Sequence, residues 1–66
     1  MQIVVDGLPE EVPAKTTIRD LLMERDEPTD HIIVERNGSF VHPRDYAAIK
    51  LQPSDRIEVV FPAFGG

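Results

Sequence analysis

An α+β fold, with a mixed sheet of four to five strands covered on one face by one main helix, is predicted by three features of this chain. Short β-branched runs stand at both ends, only one segment carries helical periodicity, and that segment lies between two hairpin signals. Sixty-six residues make one domain, and a chain of this size buries only about 60% of the surface its unfolded form exposes. Hollowing out a catalytic cleft removes contacts that such a core needs. The working part is therefore expected to be a surface or a chain end, and not an enzyme's active site.

The elements follow in order. Gln2 to Val5 is short and β-branched, Asp6-Gly7 is a hairpin turn signal, and Glu10 to Pro13 is the returning strand. Pro9 and Pro13 each lack a ladder donor, so this second strand belongs at a sheet edge and is brief. Thr16-Thr17 precedes Ile18 to Arg25, where Ile18, Leu21 and Leu22 share one helical face. Either threonine suits the N-cap, and Thr17 with Asp20 forms a capping box shortened by one methylene, its acid placed where the helix dipole favours negative charge. Pro28 ends the helix, and Asp26 to Asp30 is a polar connection.

Ile32 to Arg36 is the next strand, Asn37-Gly38 a type I′ turn, and Ser39 to His42 the return. With Glu35 facing water, alternation sets Ile33 beside it and turns Ile32 and Val34 inward. Pro43 begins a short helical turn through Tyr46, Ala47 and Ala48, and Ile49 and Leu51 are buried after it. Pro53-Ser54-Asp55 is a turn. Arg56 to Phe61 is the last strand, with Ile57, Val59 and Phe61 on one face, and Pro62 stops it. The order strand, strand, helix, strand, strand, short helix, strand, with the first and last strands paired centrally, is the ubiquitin-like or β-grasp arrangement. Residues 1–61 form its body and 62–66 a flexible tail.

Composition narrows the function. Apolar residues at 41% and charged residues at 29% are globular values. There is no cysteine, so disulfides, Cys zinc sites and a side-chain thiol nucleophile are excluded. No apolar run reaches the length of a membrane span or a signal-peptide core, and a cytoplasmic location is expected. The net charge of −5, with only seven scattered Lys and Arg, argues against nucleic acid and suits docking onto a basic partner or plain solubility. His31 and His42, near Asp30, Glu35 and Asp45, lack metal-ligand spacing, and no metal is expected. Without a Gly-rich phosphate loop the chain binds no ATP by itself.

The most informative feature is the ending, Phe64-Gly65-Gly66. Two terminal glycines arise by chance in about one chain in 200. They lack the Cβ that blocks a narrow channel, and a terminal carboxylate is a group that an adenylating enzyme can activate. Residues 62–66 fully extended reach about 17 Å at roughly 3.3 to 3.6 Å each. Pro62 restricts the root of this tail, and Phe64, beyond the last strand, is an expected docking anchor with Pro62 and Ala63. Val60 alternates with the inward Val59 and belongs on the open sheet face with Val4 or Ile33, as a shallow apolar patch.

The segment Ile33 to Gly38, the stretch Val41-His42-Pro43-Arg44 before Tyr46, and Leu51 to Val60 leading to Gly65-Gly66 together resemble the ThiS family of sulfur carriers across the whole chain. Two departures stand out. The family's usual Asp-Gly-Asp turn is Pro53-Ser54-Asp55 here, and Tyr46 occupies the place of a frequent Trp. The resemblance implies a protein co-substrate, a monomer when free. A ThiF- or MoeB-like enzyme spends ATP to adenylate Gly66 beside Gly65, a cysteine-desulfurase-type donor supplies sulfur, and the thiocarboxylate passes it to a thiazole synthase (ThiG-like) in thiamine biosynthesis. The ending Phe61 to Gly66 is also similar to MoaD, the molybdopterin-pathway carrier. The same fold suits a ubiquitin-like modifier conjugated through Gly66, or a TGS-like module.

Overall fold

The computed structural model describes residues 1–26 and 29–62. Five strands, β1 (Gln2–Val5), β2 (Leu8–Glu11), β3 (Ile33–Arg36), β4 (Ser39–Val41) and β5 (Arg56–Val60), form one sheet in the order β2-β1-β5-β3-β4. One helix, α1 (Ile18–Glu24), and a 3-10 turn (Pro43–Asp45) complete the elements. The first and last strands pair in parallel at the centre, Val4 with Arg56 and Val5 with Ile57. This is the mixed five-stranded β-grasp sheet with one main helix.

Both tight turns arise from residues that tolerate positive φ. Asp6 and Gly7 stand at φ 50° and 84°, Asn37 and Gly38 at 53° and 85°, so each hairpin closes with two left-handed central residues. The first turn sets a register of Val5 against Leu8 and Gln2 against Glu11. The returning strand therefore begins two residues earlier than the sequence expectation and ends at Glu11, before Pro13. Pro9 lies inside it without loss because β2 is an edge and its missing donor faces no partner.

Thr17 is the N-cap of α1. Its hydroxyl accepts from the Asp20 amide at 3.0 Å, and the Asp20 carboxylate accepts from the Thr17 amide at 3.0 Å. Thr16 instead donates its buried hydroxyl to the Pro13 carbonyl at 2.6 Å. The helix closes on Arg25 as its C-cap, and Pro28, expected to end it, lies outside the described residues. Ile18, Leu21 and Leu22 from α1 meet Ile3, Val5, Val34, Ile57 and Val59 from the sheet in one core, joined by Ile32, Val41, Tyr46 and Leu51. Ile49 is only half-buried against that core.

The helical turn after Pro43 is 3-10 over Pro43–Asp45 and continues as hydrogen-bonded turn through Ala48, whose amide donates to the Asp45 carbonyl at 3.0 Å. One further expectation changes. Strand β5 ends at Val60, and Phe61, expected beside Ile57 and Val59 on the core face, is 58% exposed. Pro62 restrains the residue before it, and β3 begins at Ile33, the partner of Val60, leaving no ladder for position 61.

Candidate functional site

The root of the C-terminal segment is the end of the central strand. β5 is held by β1 on one side and β3 on the other. The Asp6 carboxylate also accepts from the Val59 amide at 2.9 Å, and the Asp6 amide donates to the Ile57 carbonyl at 2.9 Å. A turn residue 53 positions upstream thus fixes the last strand just before the chain leaves the sheet. Pro62 is half-buried. Ala63, Phe64, Gly65 and Gly66, the expected docking and reactive residues, lie outside the described residues.

The sheet face opposite α1 gives this root its surroundings. Cross-strand register sets Val60 beside Ile33, and Glu58 beside Glu35, which in turn faces Phe40. Val60 is 39% exposed and Phe40 53% exposed, while Ile33 is half-buried. Of the two neighbours expected for Val60, Ile33 is the one the sheet supplies. Val4 pairs with Arg56, two rungs further down the same face.

Sequence reasoning missed Phe40, although the signal for it is present. A two-residue Asn37-Gly38 turn makes Phe40 the partner of Glu35, so a water-facing Glu35 requires a water-facing Phe40. The His42 ring meets Phe40 edge-on at 4.8 Å between centroids. Val60 and Ile33 form one apolar rung of this face, and the next rung along holds Glu58, Glu35 and Phe40 side by side; Phe61 is exposed just past the end of β5.

A buried acid secures the other end of β5. Asp55 is 6% exposed and accepts from Arg36 Nε at 2.9 Å, Asn37 Nδ2 at 3.0 Å and the Gln52 amide at 2.8 Å. Asn37 Oδ1 accepts in turn from the Arg56 amide at 2.8 Å. Burial pushes the Asp55 carboxyl upward, but the hydrogen bonds from Asn37, Gln52 and Arg36 outweigh it and hold the group below its ordinary value. The Asn37-Gly38 turn, the Pro53 to Asp55 turn and β5 are thereby locked together. Composition does not reveal this clamp, since its members are spread over 20 positions in the chain.

Among the described residues no group of three His, Cys, Asp or Glu side chains is placed to hold a metal ion. No described helix is long and apolar enough to cross a membrane.

Comparisons with known proteins agree with this architecture. A crystal structure of the thiamine biosynthesis protein ThiS from Geobacter metallireducens superposes with a TM-score of 0.87 at 25% identity, covering all of both chains. A solution structure of a thiamine biosynthesis protein from the same organism matches in fold, with a TM-score of 0.77 at 23% identity over all of this chain and 88% of that one. A protein named thiazole synthase from Magnetococcus marinus is 39% identical over 66 residues, and this chain spans about a fifth (20%) of its length. The ThiS family model matches residues 2–66, from the first strand through the two glycines, and the chain belongs to the ThiS family.

Proposed function

We propose that this protein is a sulfur carrier whose Gly66 carboxylate is adenylated and then converted to a thiocarboxylate. The observation that carries the reading is the ThiS match continuing through Gly65 and Gly66, a few residues in sequence past a central strand fixed from both sides. A carboxylate resists nucleophiles because it is anionic and its oxygen is a poor leaving group. Attack of the Gly66 carboxylate on the α-phosphate of ATP releases pyrophosphate and gives an acyl adenylate. A persulfide donor then attacks the acyl carbon and AMP leaves; reductive cleavage of the S–S bond by a thiol yields the thiocarboxylate. The thiocarboxylate sulfur attacks an electrophilic carbon of the acceptor, and attack of an oxygen nucleophile, water or an oxygen of the acceptor, on the acyl carbon breaks the acyl–sulfur bond, leaving sulfur on the acceptor and restoring the carboxylate.

Residues 1–61 act as the inert body and 62–66 as the presenting arm. The partners are a ThiF- or MoeB-like adenylating enzyme, which uses the ATP, a cysteine-desulfurase-type donor and a thiazole-forming acceptor enzyme. The relative named thiazole synthase supports the last, because its much longer chain contains a segment similar to this whole protein. The apolar rung of Val60 and Ile33 and the neighbouring rung of Glu58, Glu35 and Phe40, with exposed Phe61 past the strand end, suit a partner surface that is apolar with basic groups. Phe64, Pro62 and Ala63 extend that contact towards the reactive end.

Intact-mass analysis of protein purified from its native host tests the reading. Exchange of one oxygen for sulfur, mapped to the Gly66 peptide, is the expected result. Gly66 found in isopeptide linkage to lysines of other proteins would instead establish a modifier. Gly65→Ala is expected to retain the wild-type thermal midpoint while adenylation by the cognate enzyme falls by about tenfold or more, because a Cβ enters the channel. Equal adenylation of mutant and wild type would rule out the channel argument.

A further inference from the structure

The turn between β3 and β4 holds the one asparagine of the chain, and that residue stands directly before a glycine. We infer that Asn37 is a site of spontaneous deamidation, restrained in the folded protein by the Asp55 clamp and dismantling that clamp once it occurs. The site does not involve Gly66 and stands or falls separately from the carrier reading.

The chemistry needs no enzyme. The Gly38 backbone nitrogen attacks the side-chain carbonyl carbon of Asn37 and gives up its proton, and Nδ2 leaves as ammonia, closing a five-membered cyclic imide. Water then opens the ring at either carbonyl, giving aspartate or isoaspartate. Glycine leaves the attacking nitrogen open, because no Cβ crowds it. Asn37 and Gly38 are both exposed, and a Cβ at Gly38 would meet nothing within 4 Å. The Gly38 amide makes no hydrogen bond among the described residues. Nucleophile and water are thus both at hand.

The restraint lies on the electrophile. Ring closure requires the Asn37 carboxamide to swing onto its own backbone, out of hydrogen bonds that hold both of its ends. Nδ2 donates to Asp55 Oδ1 at 3.0 Å, and Oδ1 accepts from the Arg56 amide at 2.8 Å. The Asn37 backbone amide is tied as well, to the Arg56 carbonyl at 2.8 Å. The turn must therefore open before the reaction. Since β4 is a three-residue edge strand paired only with β3, this corner can open without unfolding the whole molecule, and the clamp sets how often it does.

Either product loosens the structure that restrained it. An aspartate at position 37 still accepts from the Arg56 amide, but it sets a second carboxylate against buried Asp55 where a donor stood. Isoaspartate adds a methylene to the main chain inside a two-residue turn and disturbs the pairing of Arg36 with Ser39. Because ammonia is lost, the change is permanent. The start of β5 is then held less firmly for the remaining life of the molecule.

The test follows the Asn37 side-chain amide signals of the full chain by NMR in mildly alkaline buffer, with a gain of one mass unit as the parallel readout. A peptide of residues 33–41 gives the unrestrained rate. The folded protein is expected to react about tenfold or more slowly than the peptide. Asp55→Ala removes the acceptor of Nδ2 and should recover most of that difference. Asp55→Asn, which keeps an oxygen acceptor but turns an amide donor towards Arg36 and Gln52, serves if the alanine variant does not fold, and should accelerate the reaction less. Asp6→Ala weakens the fold at the other end of β5, and should react at close to the wild-type rate. Equal rates for peptide and folded protein, or equal acceleration by the Asp6 and Asp55 variants at matched stability, would overturn the restraint. Deamidated protein that unfolds at the same urea concentration as fresh protein would overturn the loss of the clamp.

Discussion

Ser54 shows how one side chain can be tolerated against its own backbone preference. It stands at φ 69°, in the turn where the family's usual residue is glycine, and its amide is fixed by the Gln2 carbonyl at 2.8 Å. A Cβ in the left-handed region costs about 1–2 kcal/mol, and the extra freedom of glycine in the unfolded chain offsets about half of that. Ser54→Gly is therefore expected to stabilise the protein by about 0.5–1 kcal/mol in urea unfolding, and a loss of stability would disprove the strain. Its neighbour Asp55 sets a pH dependence. Because the folded carboxyl titrates below its unfolded value of about 3.9, its contribution is complete above that pH and fades as the solution is acidified through the lower, folded value. Asp55→Asn removes the charge that Arg36 and Asn37 address and should cost about 2 kcal/mol at pH 7. The gap to wild type should narrow when the same unfolding curves are measured near pH 3, and a gap that stays constant with pH would refute this account.

Among the elements, β5 and β3 carry an unfavourable pair. Glu58 and Glu35 face each other directly across the ladder, an arrangement that destabilises a sheet by some tenths of a kcal/mol. Stability gives no reason for it, whereas a docking face for a basic partner does. Glu58→Gln is expected to raise the thermal midpoint slightly while slowing association with the adenylating partner proposed above, most visibly at low ionic strength. Stopped-flow association rates that are identical for mutant and wild type at low salt would remove the acidic pair from the interface. The apolar surface beside it is legible in the sequence only in part. Val60 and Ile33 follow from alternation around Glu35, and Phe40 follows once the two-residue turn is taken seriously. The end of β5 departs from the sequence expectation because apolar Phe61 continues the alternating pattern, and only the length of β3 and the proline at 62 decide where pairing stops.

At the scale of the whole molecule, the chain's two ends close the sheet. Val59 is bound by Asp6 across nearly the full sequence, so the last strand is accepted only when the first hairpin exists to receive it, a non-local step that slows folding. Asp6→Ala removes both the acceptor and a residue suited to positive φ, and a loss of about 2 kcal/mol is expected. Asp6→Asn keeps both properties and should remain near wild type. Amide exchange at Val59 and Val60 should accelerate in the alanine variant alone, and equal protection in both would dissociate Asp6 from the tail root.

The order of elements, both turns, the helix cap and the β-grasp arrangement were written in the sequence, because hydrophobic period, Asp-Gly and Asn-Gly pairs, prolines and a Thr-x-x-Asp cap act over a few residues. Tertiary structure alone decided the Asp55 clamp, the pairing of Glu35 with Glu58 and the hold of Asp6 on Val59. Each joins residues distant in the chain, and register, burial and electrostatics between such residues exist only after the sheet has closed.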